Sequence, residues 1–164
     1  MDANRAISLA MTFWKLGIAS DDDIIAWADA RIRESETPDM RLIDLATLGP
    51  AHCDRLPWEE FPARPLLLPF PVIFSAVAPT LDLADDDALL AFARRASIEC
   101  VSTDGWDGHP VMGFGYQVDH LRVDMASPEL ALQHIREQLP ELVQRYGDLW
   151  PYRLDEIRIE TNAL

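Results

Sequence analysis

Five prolines interrupt the most apolar stretch of this chain, residues 61–80: Pro62, Pro65, Pro69, Pro71 and Pro79. The stretch approaches the length of a membrane span. Proline has no backbone N–H, and its ring clashes with the carbonyl one turn earlier. Five of them would leave many backbone groups unsatisfied in lipid, so a spanning helix is excluded. The segment reads as buried irregular or extended chain crossing a core. No regular element is assigned between Ala51 and Pro79.

The flanking sequence is helical by its periodicity. Ile7, Ala10, Met11 and Trp14 recur at i, i+3, i+4 and i+7, which predicts a helix over 3–16 stopped by Gly17. Ser20 then caps a second helix. Its inner stripe is Ile25, Ala28 and Ile32, and Asp21, Asp22 and Asp23 lie at its positive end. The short link predicts an antiparallel helical hairpin. Thr37-Pro38 looks like a cap followed by proline in the first turn of a third helix, running through Leu42, Ile43 and Ala46 to Gly49-Pro50. A fourth helix is expected over 85–97, opening on Asp85, Asp86 and Asp87 and burying Leu89, Phe92, Ala93 and Ala96.

Beyond residue 103 the period changes. After the turn-rich loop DGWDGHP (104–110), Met112, Phe114, Tyr116 and Val118 alternate with Gly113, Gly115 and Gln117, which is strand spacing. Leu121, Val123 and Met125 alternate too, after a phase slip at Asp119-His120 that suggests a turn or bulge. Ser127-Pro128 caps a further helix carrying Leu132, Ile135, Leu139 and Leu142. Pro140 is expected to kink or divide it. A last strand is expected over 156–161. The expectation is therefore an α+β fold: one globular domain over 1–164, with a helical N-terminal half and a small antiparallel sheet packed with helices in the C-terminal half.

Charge narrows the partner. Asp and Glu number 28 against 14 Lys and Arg, a formal net charge of −14. The imbalance is spread along the chain rather than held in a tail. Such a surface repels phosphate backbones and anionic lipid, so neither nucleic acid nor membrane is expected as a partner. A basic protein, peptide or cation is favoured through electrostatic steering. The plainer role of acidity is solubility. Cys53 and Cys100 make no disulfide framework, although a single bond between them stays open, and two isolated thiols suit a reducing cytoplasm. The first residues do not form a secretory signal, so the expected location is cytoplasmic.

Reaction motifs are absent. The Asp triplets at 21–23 and 85–87 precede apolar periodicity, as capping acids do, and neither has the glycine and distal glutamate of a calcium loop. His52 beside Cys53, or His120 with Asp124, could each contribute metal ligands, but no HExxH and no compact ligand set occurs. There is no GxSxG elbow. Gly113-Phe114-Gly115 lacks the Lys-Ser or Lys-Thr of a phosphate loop. No cofactor and no catalytic residue are assigned. The loop holding Asp104, Trp106 and Asp107 sets a large aromatic among acids, the composition of an interface hot spot. The competing reading is that Trp106 folds back to anchor the loop. Trp14, Trp27, Trp58 and Trp150 read as structural.

The run FWKLGIASDDDIIAWADARI (13–32) followed by PDMRLIDLA (38–46) resembles the opening of small cytoplasmic immunity proteins that accompany bacterial polymorphic or contact-dependent toxins. The resemblance implies a protein that works by binding, with no catalytic residues. The expected function is thus an immunity or inhibitor-like protein that neutralises a cognate toxin domain, and the acidity of the chain points to a basic one. The alternatives are a small hydrolase or metal-dependent enzyme built from converging Asp, His and Cys, and a chaperone or adaptor with an apolar groove near residues 61–80.

Overall fold

The computed structural model describes residues 1–99 and 105–160. Helices make up all the regular structure there: α1 (Ala3–Leu16), α2 (Asp21–Glu34), α3 (Met40–Leu48), α4 (Pro50–Cys53), α5 (Phe70–Val77), α6 (Asp86–Glu99), α7 (Pro110–Asp119) and α8 (Pro128–Tyr146). Short 3₁₀ turns cover Ala78–Thr80 and Leu154–Glu156, and a π turn covers His120–Asp124. Two compact units are formed, Met1–Leu67 with Tyr152–Leu164, and Leu68–Pro151.

No strand occurs among the described residues, which overturns the α+β expectation. The segment read as a first strand is α7. His109 caps it by accepting the Val111 amide at Nδ1, and Pro110 occupies the first helical position. Its buried residues include Val111, Phe114, Gly115 and Val118, spaced i, i+3, i+4 and i+7, while Tyr116 is exposed. The period-2 alternation arose because two glycines and a glutamine fall between apolar residues. The supposed second strand is the π turn that continues α7. The final strand is also missing. Residues 157–160 carry no regular element, but Met1 donates to the Arg158 carbonyl and accepts from the Glu160 amide.

Unit 1 is built around α1, in which eight consecutive residues, from Ala6 to Phe13, are buried. A helix apolar all round belongs inside a structure rather than on its surface. It begins at Asp2, whose side chain accepts the Arg5 amide, and ends at Gly17, which takes the left-handed conformation (φ 76°) that a side chain would strain. Ser20 and Asp23 form a reciprocal capping box on α2. The cap of α3 is Asp39 rather than Thr37, and its Oδ1 accepts the Arg41 amide at 3.0 Å. Also buried in unit 1 are Ile24, Ala28, Leu42, Leu45, Cys53 and Phe61. The buried Thr12 hydroxyl donates to the Ser8 carbonyl (2.6 Å) and accepts the Leu66 amide (2.8 Å), which fixes the proline-rich segment.

That segment is only partly irregular. Residues 61–69 have no regular structure, whereas α5 starts at Phe70 with Pro69 as its N-cap and Pro71 in its first turn. Neither proline costs the helix a bond, because first-turn amides have no helical acceptor. Unit 2 gathers Phe70, Phe74, Phe92 and Phe114 from α5, α6 and α7, with ring centroids 5.9–6.4 Å apart in tilted and edge-on pairs. Such pairs add about 0.5–1.5 kcal/mol each beyond area burial. His134 of α8 stacks on Phe114 at 5.7 Å. Pro140 does not divide α8, which runs unbroken to Tyr146.

Candidate functional site

The loop that enters α7 turns twice through positive-φ glycines, Gly105 (90°) and Gly108 (84°). Asp104 lies outside the described residues. Asp107 is exposed, and Trp106 is half-buried. The Trp106 ring meets His109 edge-on at 5.2 Å, and His109 meets Tyr146 at the end of α8 edge-on at 4.8 Å. Two further rings in series therefore brace the indole, while its loop remains at the surface. Burial holds the His109 imidazole below its usual titration range. That keeps Nδ1 an unprotonated acceptor for the helix cap. Trp106 is thus held to its loop through His109, and Asp107 beside it is exposed.

The acid triplets are structural at most positions. Asp21 accepts the Trp14 indole N–H at 2.7 Å, and Asp23 completes the capping box. Asp85 accepts the Ala88 amide, and Asp86 pairs with Arg136.

A cavity of about 470 Å³ lies in unit 1, with Arg31, Glu34, Thr37, Asp39 and Glu160 among its lining residues. Each carboxylate there already has a cation: Glu34 pairs with Arg31 at 2.8 Å, Asp39 with Arg41 at 2.6 Å, and Glu160 with the Met1 amine at 2.9 Å. The Arg41 guanidinium holds the Asp39 carboxyl below the ordinary carboxylate range. No cysteine or histidine lines this cavity.

Among the described residues, the cysteine and histidines singled out from the sequence sit in separate environments. Cys53 is fully buried, and desolvation raises its thiol to about 11, so it is no thiolate at neutral pH. Its neighbour His52 is exposed. His120 and Asp124 meet at 3.0 Å on an exposed turn. Among the described residues no three His, Cys, Asp or Glu side chains are grouped to hold a metal ion. Cys100 lies outside the described residues. The apolar groove that a chaperone would need near 61–80 is largely filled: Phe61, Ala63, Phe70, Pro71 and 73–78 are buried, while Leu66 and Leu67 are exposed. No described helix is long and apolar enough to cross a membrane.

Tryptophan exposure separates the five indoles in a way that local sequence does not. Trp27 is buried and donates to the Ile157 carbonyl at 3.3 Å, whereas Trp58, read from sequence as structural, is 60% exposed. A tryptophan between proline and two glutamates carries no periodic signal, so only tertiary structure could reveal this.

No protein family, curated protein or solved structure matches this chain.

Proposed function

We propose that this chain is an immunity-type inhibitor: a binding protein whose acidic surface captures a basic toxin domain and blocks its active site. One observation carries the reading. The Trp106–His109–Tyr146 series presents a braced aromatic beside exposed Asp107 on a chain with a net charge of −14. Rigid aromatics rimmed by complementary charge supply affinity at interfaces, and dispersed charge raises the association rate. The resemblance of residues 13–46 to immunity proteins points the same way.

Co-expression with toxin domains encoded beside this chain tests the proposal. Protection of the host cell and a co-purifying complex are expected, with association slowed by salt. Failure to protect against or bind any linked toxin overturns it. Within a complex, Trp106→Ala is expected to cost about 2 kcal/mol of affinity, and Asp107→Lys mainly to slow association.

A further inference from the structure

We infer that residues 57–60 form a second docking element, a rigid turn that takes an arginine or lysine side chain of a basic protein partner on the Trp58 indole, between Glu59 and Glu60. The inference rests on the proposal that the partner is basic, and it adds a contact in unit 1.

The turn is tightly built. The Pro57 carbonyl accepts the amides of both Glu60 (3.1 Å) and Phe61 (3.0 Å). Phe61, fully buried, anchors its far end. Arg64 donates to the carbonyls of Cys53 (3.3 Å), Asp54 (2.9 Å) and Leu56, and so locks the approach to the turn. Pro57 restricts its own φ. The backbone under Trp58 is therefore ordered before any partner arrives, which removes part of the entropic cost of binding.

What this turn displays is unusual for its residue types. Tryptophan is highly buried on average, yet Trp58 is 60% exposed. Glu59 and Glu60 are exposed and make no ion pair among the described residues. The neighbouring charges are engaged elsewhere: Asp54 pairs with Lys15 at 2.8 Å, and Arg55 donates to the Ala51 carbonyl at 2.9 Å. Two unneutralised carboxylates next in the chain to an exposed indole suit a cationic side chain, because the ring quadrupole and both carboxylates attract the same charge. An anionic or purely apolar partner would leave the glutamates desolvated without compensation.

The test uses a fluorescein-labelled peptide of alternating arginine and glycine, with a glutamate–glycine peptide as control, read by anisotropy at low and high salt. The wild-type chain is expected to bind the arginine peptide with a salt-sensitive affinity and to ignore the control. Trp58→Ala is expected to weaken binding about fivefold, the worth of an exposed cation–π contact. Glu59→Gln with Glu60→Gln should weaken binding and flatten the salt dependence. Because Trp58 is exposed, the fold should survive its removal, and circular dichroism checks this. Quenching of tryptophan emission by unlabelled peptide should disappear in Trp58→Phe. If the peptide binds wild type and the Trp58 and Glu59/Glu60 variants alike, the turn is not the site and only this inference falls. If wild type binds no arginine peptide at all, the basic-partner proposal falls and takes this inference with it.

Discussion

The Arg31 guanidinium donates to the Ile157 carbonyl at 2.6 Å and so joins two residues 126 positions apart in unit 1. Arg31 is only 7% exposed, and its second arm reaches Glu34. Burial and the nearby Arg158 push its ionisation downward, while Glu34 opposes them. Arg31→Met removes both bonds and leaves the Ile157 carbonyl to the longer contacts from the Trp27 indole and the Arg158 guanidinium. A loss of about 2 kcal/mol is expected in urea denaturation, from the lost charged hydrogen bond and the broken pair. Arg31→Lys should not restore it, because one ammonium cannot reproduce the fork. Arg33→Ala, at an exposed position, should stay within about 0.5 kcal/mol of wild type.

Thr12→Val keeps the shape of a buried side chain and deletes its hydroxyl. The Leu66 amide then has no acceptor at that position. The expected cost is about 1 kcal/mol, the net worth of a hydrogen bond lost at a part-buried position. Hydrogen exchange gives a local check: the Leu66 amide should lose protection in the variant by more than the amides of α8.

His109 makes stability depend on pH. Its folded-state titration lies below its unfolded one, so the unfolded chain binds more protons as pH falls through the ordinary histidine range. Its contribution is complete above that range and is lost below it. Protonation of Nδ1 removes the acceptor for the Val111 amide. His134 is shifted downward by burial, against an opposing pull from Glu137, and adds in the same direction. Asparagine caps helices without titrating, so His109→Asn should show a smaller drop in urea midpoint between about pH 7.5 and pH 5.5 than wild type. Equal drops would remove His109 from the account.

Ala126, between the π turn and α8, has φ 48°. A Cβ in that region costs about 1 kcal/mol, which glycine avoids. Ala126→Gly is expected to raise stability slightly or leave it unchanged, despite the greater freedom of glycine in the unfolded chain. Elsewhere in unit 2, a glycine placed at Ala131, in a helix with ordinary dihedrals, should lower the melting temperature instead.

Helix ends in the first fifty residues were largely readable, because caps are local chemistry. Gly17, Ser20 and Gly49 each mark a boundary that the structure contains. The cap of α3 was misread by two residues because Thr37 and Asp39 are both competent acceptors. The second half failed where two signals competed. Alternation over 112–118 suggested a strand, while His109-Pro110 already held the start of a helix and the buried positions obeyed helical spacing once Gly115 was counted among them. The prolines at 69 and 71 were read only as breakers, although the first turn of a helix tolerates them. The Trp106 loop stands out by its composition, but its bracing depends on the contact between His109 and Tyr146, which lie far apart in sequence. The exposure of Trp58 was illegible for the same reason: accessibility is settled by what fails to pack against a side chain.

Unit 1 is discontinuous along the chain, and this orders events during synthesis. Its tie to the Ile157 carbonyl is made only after all of Leu68–Pro151 has been translated. Until then Arg31 and Trp27 face an absent acceptor, while the phenylalanines of unit 2 can already assemble from neighbouring helices as they emerge from the ribosome. The newborn chain therefore carries a finished insert inside a scaffold that still waits for its closing strap.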